Sequence, residues 1–181
     1  MLLAFAPFII FAVMDHLAGP KIALACGLLA AALVFGRNLI SPGRTTKILE
    51  FGTVILFAVL LLYTIFRGPV LSVIVVRLWV DAGLLLIILF SLLLRRPFTL
   101  QYARELVEPE LWNHPEFIRT NTIITAAWAL AFAVMVLAET ALLCVPGIPR
   151  RLGVIVIAAA LAVAFKFTSW YPERCRKLHA V

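Results

Sequence analysis

Charge is what this sequence has least of. Its 16 Lys and Arg and 9 Asp and Glu make up 14% of 181 residues, against 64% hydrophobic. A water-soluble domain carries about 25% charged and about 45–50% apolar residues, so an ordinary soluble enzyme is excluded. Cysteine is scarce as well. Cys26 falls inside an apolar run, Cys144 ends another and Cys175 sits in a basic tail, which is not the layout of a disulfide framework. The chain also lacks a Walker loop, Gly-x-Gly-x-x-Gly, Cys-x-x-Cys, His-Glu-x-x-His and Gly-x-Ser-x-Gly. Its three histidines, His16, His114 and His179, lie in three separate boundary regions. No metal, cofactor or catalytic activity is therefore expected.

What is present is apolar sequence in long runs, with a mean hydropathy of +1.09. Six segments stand out, at 2–17, 20–36, 48–66, 69–94, 118–144 and 152–171. A helix needs about 20 residues to cross about 30 Å of hydrocarbon, so the last four are full spans and the first two are short. The first two meet at Asp15-His16-Leu17-Ala18-Gly19-Pro20-Lys21, a polar turn, and form either a thin complete hairpin or one that dips part way in. The runs are continuous rather than alternating, and lipid offers the backbone no hydrogen bonds, so they are helices and not barrel strands. The expected fold is all-α, one polytopic membrane helix bundle over residues 1–181. The opening segment lacks a basic n-region and a small-residue cleavage site, and reads as retained.

Net charge of +7 would suggest nucleic acid in a soluble protein. Here the cations lie between apolar runs, where they set topology instead. With six crossings, ten fall on the side of the N-terminus: Arg37, Arg44, Lys47, Arg95, Arg96, Arg104, Arg119, Arg174, Arg176 and Lys177. Four fall opposite: Lys21, Arg67, Arg150 and Arg151. The bias puts both termini and the 95–119 loop in the cytoplasm, with Trp170 and Tyr171 as an interfacial anchor. On a helical wheel that loop gathers Gln101, Arg104, Glu105 and Glu108 on one arc, with Phe98, Leu100, Tyr102, Ala103, Leu106 and Val107 elsewhere. This predicts an interfacial helix within 95–117, Pro97 in its first turn and Pro109 at its end. It is either a solvated linker or a partner surface built on Tyr102, Arg104, Glu105 and Glu108.

Ionisable residues inside spans are costly and so are candidate functional groups. At about 1.5 Å per residue, Asp81 lies about 21 Å and Arg77 about 27 Å from cytoplasmic Arg95, and Glu139 about 30 Å from Arg119. Arg77 and Asp81, four apart, are close enough to pair within one helix. With Asp15, His16 and Lys21 on the same outer side, Arg77, Asp81 and Glu139 form either a polar vestibule or a structural ion pair between the fourth and fifth spans. At the inner end, Glu50 and Lys166 form a second candidate pair, anchoring helix ends. Pro42-Gly43-Arg44 before the third span and Pro146-Gly147 with Arg150 before the sixth give a faint echo of an inverted repeat. The runs Ala30-Ala31-Ala32 and Ala158-Ala159-Ala160 allow close helix packing.

Three stretches carry a family resemblance: the opening Phe5-Ala6-Pro7-Phe8-Ile9-Ile10-Phe11, the junction Arg95-Arg96-Pro97, and Trp128-Ala129-Leu130-Ala131-Phe132. In their order along nearly the whole chain they resemble the bacterial inner-membrane septation protein A family. Thr125 stands where that family usually has Asn, Glu139 where an uncharged polar residue is usual, and 101–116 is more acidic. The resemblance implies a non-enzymatic protein of cell-envelope biogenesis and cell division, in the bacterial inner membrane. Its implied partners are membrane lipids and the membrane proteins of division or wall synthesis. A small-molecule or lipid transporter built on Arg77, Asp81 and Glu139 is the alternative.

Overall fold

A computed structural model describes the backbone of residues 2–40, 46–67 and 72–179, and the side chains of 4–40, 46–66 and 72–175. Pro42, Gly43 and Arg44, and the side chains of Arg67, Arg176, Lys177 and His179, lie outside the described residues. The described chain is helical, without a strand. A 3-10 turn at Leu2–Phe5 leads into α1 (Ala6–Ala18), followed by α2 (Pro20–Ile40), α3 (Ile48–Arg67), α4 (Val73–Leu93), α5 (Phe98–Ala103), α6 (Pro115–Cys144) and α7 (Arg150–His179). Five of these, α2, α3, α4, α6 and α7, are long and apolar enough to cross a bilayer. The protein is an all-α, multi-pass membrane helix bundle.

Two lengths differ from expectation. The second segment is not short: α2 runs four residues past Gly36 to Ile40, 21 residues or about 32 Å. Arg37 and Asn38 look like the end of an apolar run, yet Asn38 is buried and hydrogen-bonded, so the helix continues through it. The first segment, by contrast, has 13 α-helical residues, about 20 Å. Gly19, at φ 83°, makes the break between α1 and α2, a backbone conformation that strains any residue with a Cβ. Pro20 then opens α2, where its missing N–H is not needed.

The chain forms two compact units, Met1–Ile87 and Ile88–Val181, dividing inside α4 rather than between the third and fourth spans, as the repeat would require. The first is cored by Phe11, Ala23, Leu24, Ala31, Phe57, Leu60, Val76 and Val80. Phe57 is its hub, with ring centroids 5.4 Å from Phe8 and 5.7 Å from Phe11. The ring reaches that position because Gly27 has no side chain. A Cβ there would stand 2.7 Å from the Phe57 ring.

In the second unit α6 and α7 pack together around Trp128, which is fully buried. Its indole N–H donates to Thr168 Oγ1 at 3.0 Å, and its ring meets Phe165 edge-on at 4.9 Å. A Cβ on Gly153 would meet Leu142 at 2.3 Å. Close approach therefore falls on glycines, while Ala158 and Ala159 of the alanine run are exposed. At the far end of α7, Tyr171 stacks on Phe167 at 5.0 Å and Arg174 lies over Trp170 at 5.0 Å, an aromatic and basic collar suited to a membrane–water interface.

Gly27→Ala should destabilise the first unit by about 1–3 kcal/mol, because a buried ring has to move. Gly36→Ala, on the same helix with nothing within 4 Å of a new Cβ, should be neutral or stabilising by about 0.5–1 kcal/mol. Thermal unfolding of the two variants in one detergent checks the contrast.

Candidate functional site

The most deeply buried charge in the first unit is Asp15, three residues from the end of α1. Its side chain is 0% exposed, and its Oδ2 accepts from Arg77 Nε on α4 at 2.6 Å. Oδ1 is buried without a hydrogen-bond partner among the described residues. The sequence spacing suggests pairing of Arg77 with Asp81, or an ion pair between the fourth and fifth spans. In the structure Arg77 Nε bonds a residue 62 positions earlier, and the pair ties α4 to the short α1. Asp81 lies half-buried one turn along α4, within electrostatic reach of the same guanidinium. His16 and Lys21, beside the α1–α2 turn, are exposed. Asp15, Arg77 and Asp81 thus form a line of alternating charge on two helices.

At the other end of this unit, Glu50 in the first turn of α3 is buried. Its Oε2 accepts from Asn38 Nδ2 of α2 at 2.7 Å, and its Oε1 lies 3.7 Å from Lys47 Nζ. All three side chains are buried. The sequence suggests Lys166 as the partner of Glu50. The structure gives Glu50 partners within its own unit, Asn38 and Lys47, that close the α2–α3 hairpin, and Lys166 is exposed.

In the second unit α4 ends in a Schellman turn: Arg96 N–H donates to Ser91 O and Arg95 N–H to Leu92 O, both at 2.9 Å. Arg95 takes the left-handed position, at φ 54°, that glycine usually fills. Pro97 then starts α5 on a new course. Ser91 Oγ accepts from Phe98 N–H at 3.3 Å, and Thr99 Oγ1 donates to Asn121 O at 2.8 Å while lying 2.7 Å from Thr125 Oγ1. Thr125 therefore meets a hydroxyl from α5.

The interfacial helix is shorter than predicted. After six residues α5 passes into a 3-10 turn, Arg104–Leu106, and Val107 is extended, so Glu108 does not continue the helical arc of Gln101, Arg104 and Glu105. Tyr102 is buried along with Phe98 and Leu100, so it belongs to the anchor and not to a partner surface. The exposed groups are Glu105, Glu108 and Glu110, with Leu106 at 85% exposure and Leu111 beside them. Trp112 holds this segment in shape. Its indole N–H is shared between Arg104 O at 3.0 Å and Val107 O at 3.3 Å, and Arg104 lies over its ring at 5.8 Å. The sequence offers no local signal for that clasp, because Arg104 and Trp112 belong to neither a heptad nor a turn motif.

Glu139 is buried in α6, five residues or about 7.5 Å from the helix end, and belongs to the second unit while Asp15, Arg77 and Asp81 belong to the first. Among the described residues no three His, Cys, Asp or Glu side chains are grouped to hold a metal. No family model, curated protein or solved structure matches the chain.

Asp15→Ala should lower the stability of the first unit by about 2 kcal/mol, less than the 3–5 kcal/mol of a fully buried pair because the Arg77 side chain is only part-buried. Asp81→Asn should change it by less than about 0.5 kcal/mol, having no hydrogen bond to lose. Thermal unfolding of the two variants distinguishes them, and equal losses would mean that the Asp15 contact adds nothing.

Proposed function

We propose that this is a non-enzymatic protein of the bacterial inner membrane that acts in cell-envelope biogenesis and division through protein partners, with the 95–117 loop cytoplasmic. The observation that carries the reading is the construction of that loop. It is anchored by Thr99 to α6 and clasped by Arg104 and Trp112, yet it holds Leu106, Glu105, Glu108 and Glu110 at the surface. A loop fixed internally that presents Leu106 among carboxylates is suited to docking, since little ordering entropy remains to be lost on binding. The resemblance to the septation protein A family supports the same reading, and so does the cationic bias of that side of the membrane.

Asp15 and Arg77 favour a second reading, a small-molecule or lipid transporter. A carboxylate with one unpaired oxygen, buried in a membrane helix, is costly unless something depends on it.

One complementation experiment separates the two. In a strain lacking the gene, scored for cell shape, septum placement and envelope-stress sensitivity, a Trp112→Ala, Leu106→Asp variant of matched abundance should fail to rescue. The Arg77→Ala, Asp81→Asn, Glu139→Gln variant should rescue. The reverse pattern would overturn the docking reading in favour of transport.

A further inference from the structure

Arg77 uses little of its hydrogen-bonding capacity. A guanidinium has five N–H donors in a planar fork, and here only Nε is engaged, by Asp15. Neither terminal nitrogen has a hydrogen-bond partner among the described residues, and the side chain is 36% exposed while Asp15 is 0% exposed. Asp15 therefore engages the guanidinium at Nε and leaves its outer edge, the two terminal nitrogens that can bind an oxyanion two bonds at a time, without a partner among the described residues.

The level of this open edge is set by the helix ends. Ser72 caps α4, its carbonyl accepting from Val76 N–H at 3.2 Å, so Arg77 lies five residues, about 7.5 Å, inside the start of the helix. Asp15 lies three residues from the end of α1, and Lys21 stands one residue inside the start of α2. All three belong to the end of the first unit that carries the α1–α2 turn. In a bilayer that puts the Arg77 backbone about one turn below the headgroup layer, within reach of its long side chain, and the oxyanion that fills this layer is the phosphodiester. Asp81, one turn deeper, opposes an anion here, whereas Lys21 on the rim favours one.

We propose that the outer edge of Arg77, oriented by Asp15, is a binding site for a phosphate group, supplied by a phospholipid headgroup at the α1–α2 end of the protein. The site requires neither partner docking nor transport. Asp15 is a positioning residue, because its buried carboxylate holds Nε and leaves the two terminal nitrogens to the ligand.

The test uses the full-length protein in a non-ionic maltoside detergent, with the thermal unfolding midpoint followed against three additions: dioleoyl phosphatidylglycerol, dioleoylglycerol and inorganic phosphate. Phosphatidylglycerol should raise the midpoint of the wild type, and dioleoylglycerol, with the same acyl chains and no phosphate, should not. Arg77→Lys keeps the charge and the link to Asp15 but loses the fork, so it should need about tenfold more phosphatidylglycerol for the same shift. Asp81→Asn removes an opposing charge and should need about threefold less. Identical titrations for wild type and Arg77→Lys, or equal stabilisation by dioleoylglycerol, would overturn the proposal. If inorganic phosphate matches the lipid, the phosphate chemistry stands but the lipid source is overturned; if it has no effect, the lipid is the source. Should Arg77→Lys fail to fold, Asp81→Asn decides alone, and an unchanged or higher lipid requirement overturns the site.

Discussion

Lipid cannot hydrogen-bond, and most of this architecture follows from that constraint. It makes every long element a helix, because only a helix satisfies its own backbone. It then governs the polar side chains those helices carry. Thr53, Thr64, Thr122, Thr140 and Thr168 each donate to the carbonyl four residues back, so a hydroxyl in an apolar setting finds a partner without leaving its own helix. Groups that cannot do this are drawn together across helices, as Asn38 to Glu50, Thr99 to Thr125 and Arg77 to Asp15. The polar residues thereby specify which helices neighbour one another, while the apolar ones decide how closely they approach.

Approach is controlled by absence of side chain. Between apolar helices in an apolar solvent, association rests on van der Waals contact and on getting backbones near each other. At Gly27 the space that a Cβ would take is filled by an aromatic ring, and at Gly83 by Leu56, whose nearest atom would stand 2.2 Å from the new Cβ. Alanine triplets, more conspicuous in the sequence, contribute less. Ala31 is buried, but Ala32, Ala158 and Ala159 are exposed.

Fold class was legible from composition and run length alone, because hydropathy over twenty residues is a sum that tertiary structure cannot reverse. The ends of the runs were harder. Arg37 and Asn38 resemble a helix terminus by polarity, and only the distant carboxylate of Glu50 shows why α2 continues past them. For the candidate site, sequence singled out Asp15, Arg77 and Asp81 as costly but did not show the bond between Asp15 and Arg77. Spacing of four is visible along a chain, and a separation of 62 is not. The helical wheel set Tyr102 beside Phe98 and Leu100, the side that is buried where α5 packs on α6, so it was the partner surface that misplaced it; the polar arc failed at Glu108 because the helix ends at Ala103.

The turn that closes α4 bears on how the protein meets membranes of different thickness. Arg95 adopts a left-handed backbone, a conformation unfavourable by about 1–2 kcal/mol outside glycine, and both Schellman hydrogen bonds depend on it. With Ser72 capping the opposite end, the 21-residue helix cannot lengthen or fray by a turn without breaking one of these terminations. Its length, about 32 Å, is thereby fixed. A rod of fixed length in a thinner bilayer has to lean or to thicken the bilayer around it, since it does not shorten.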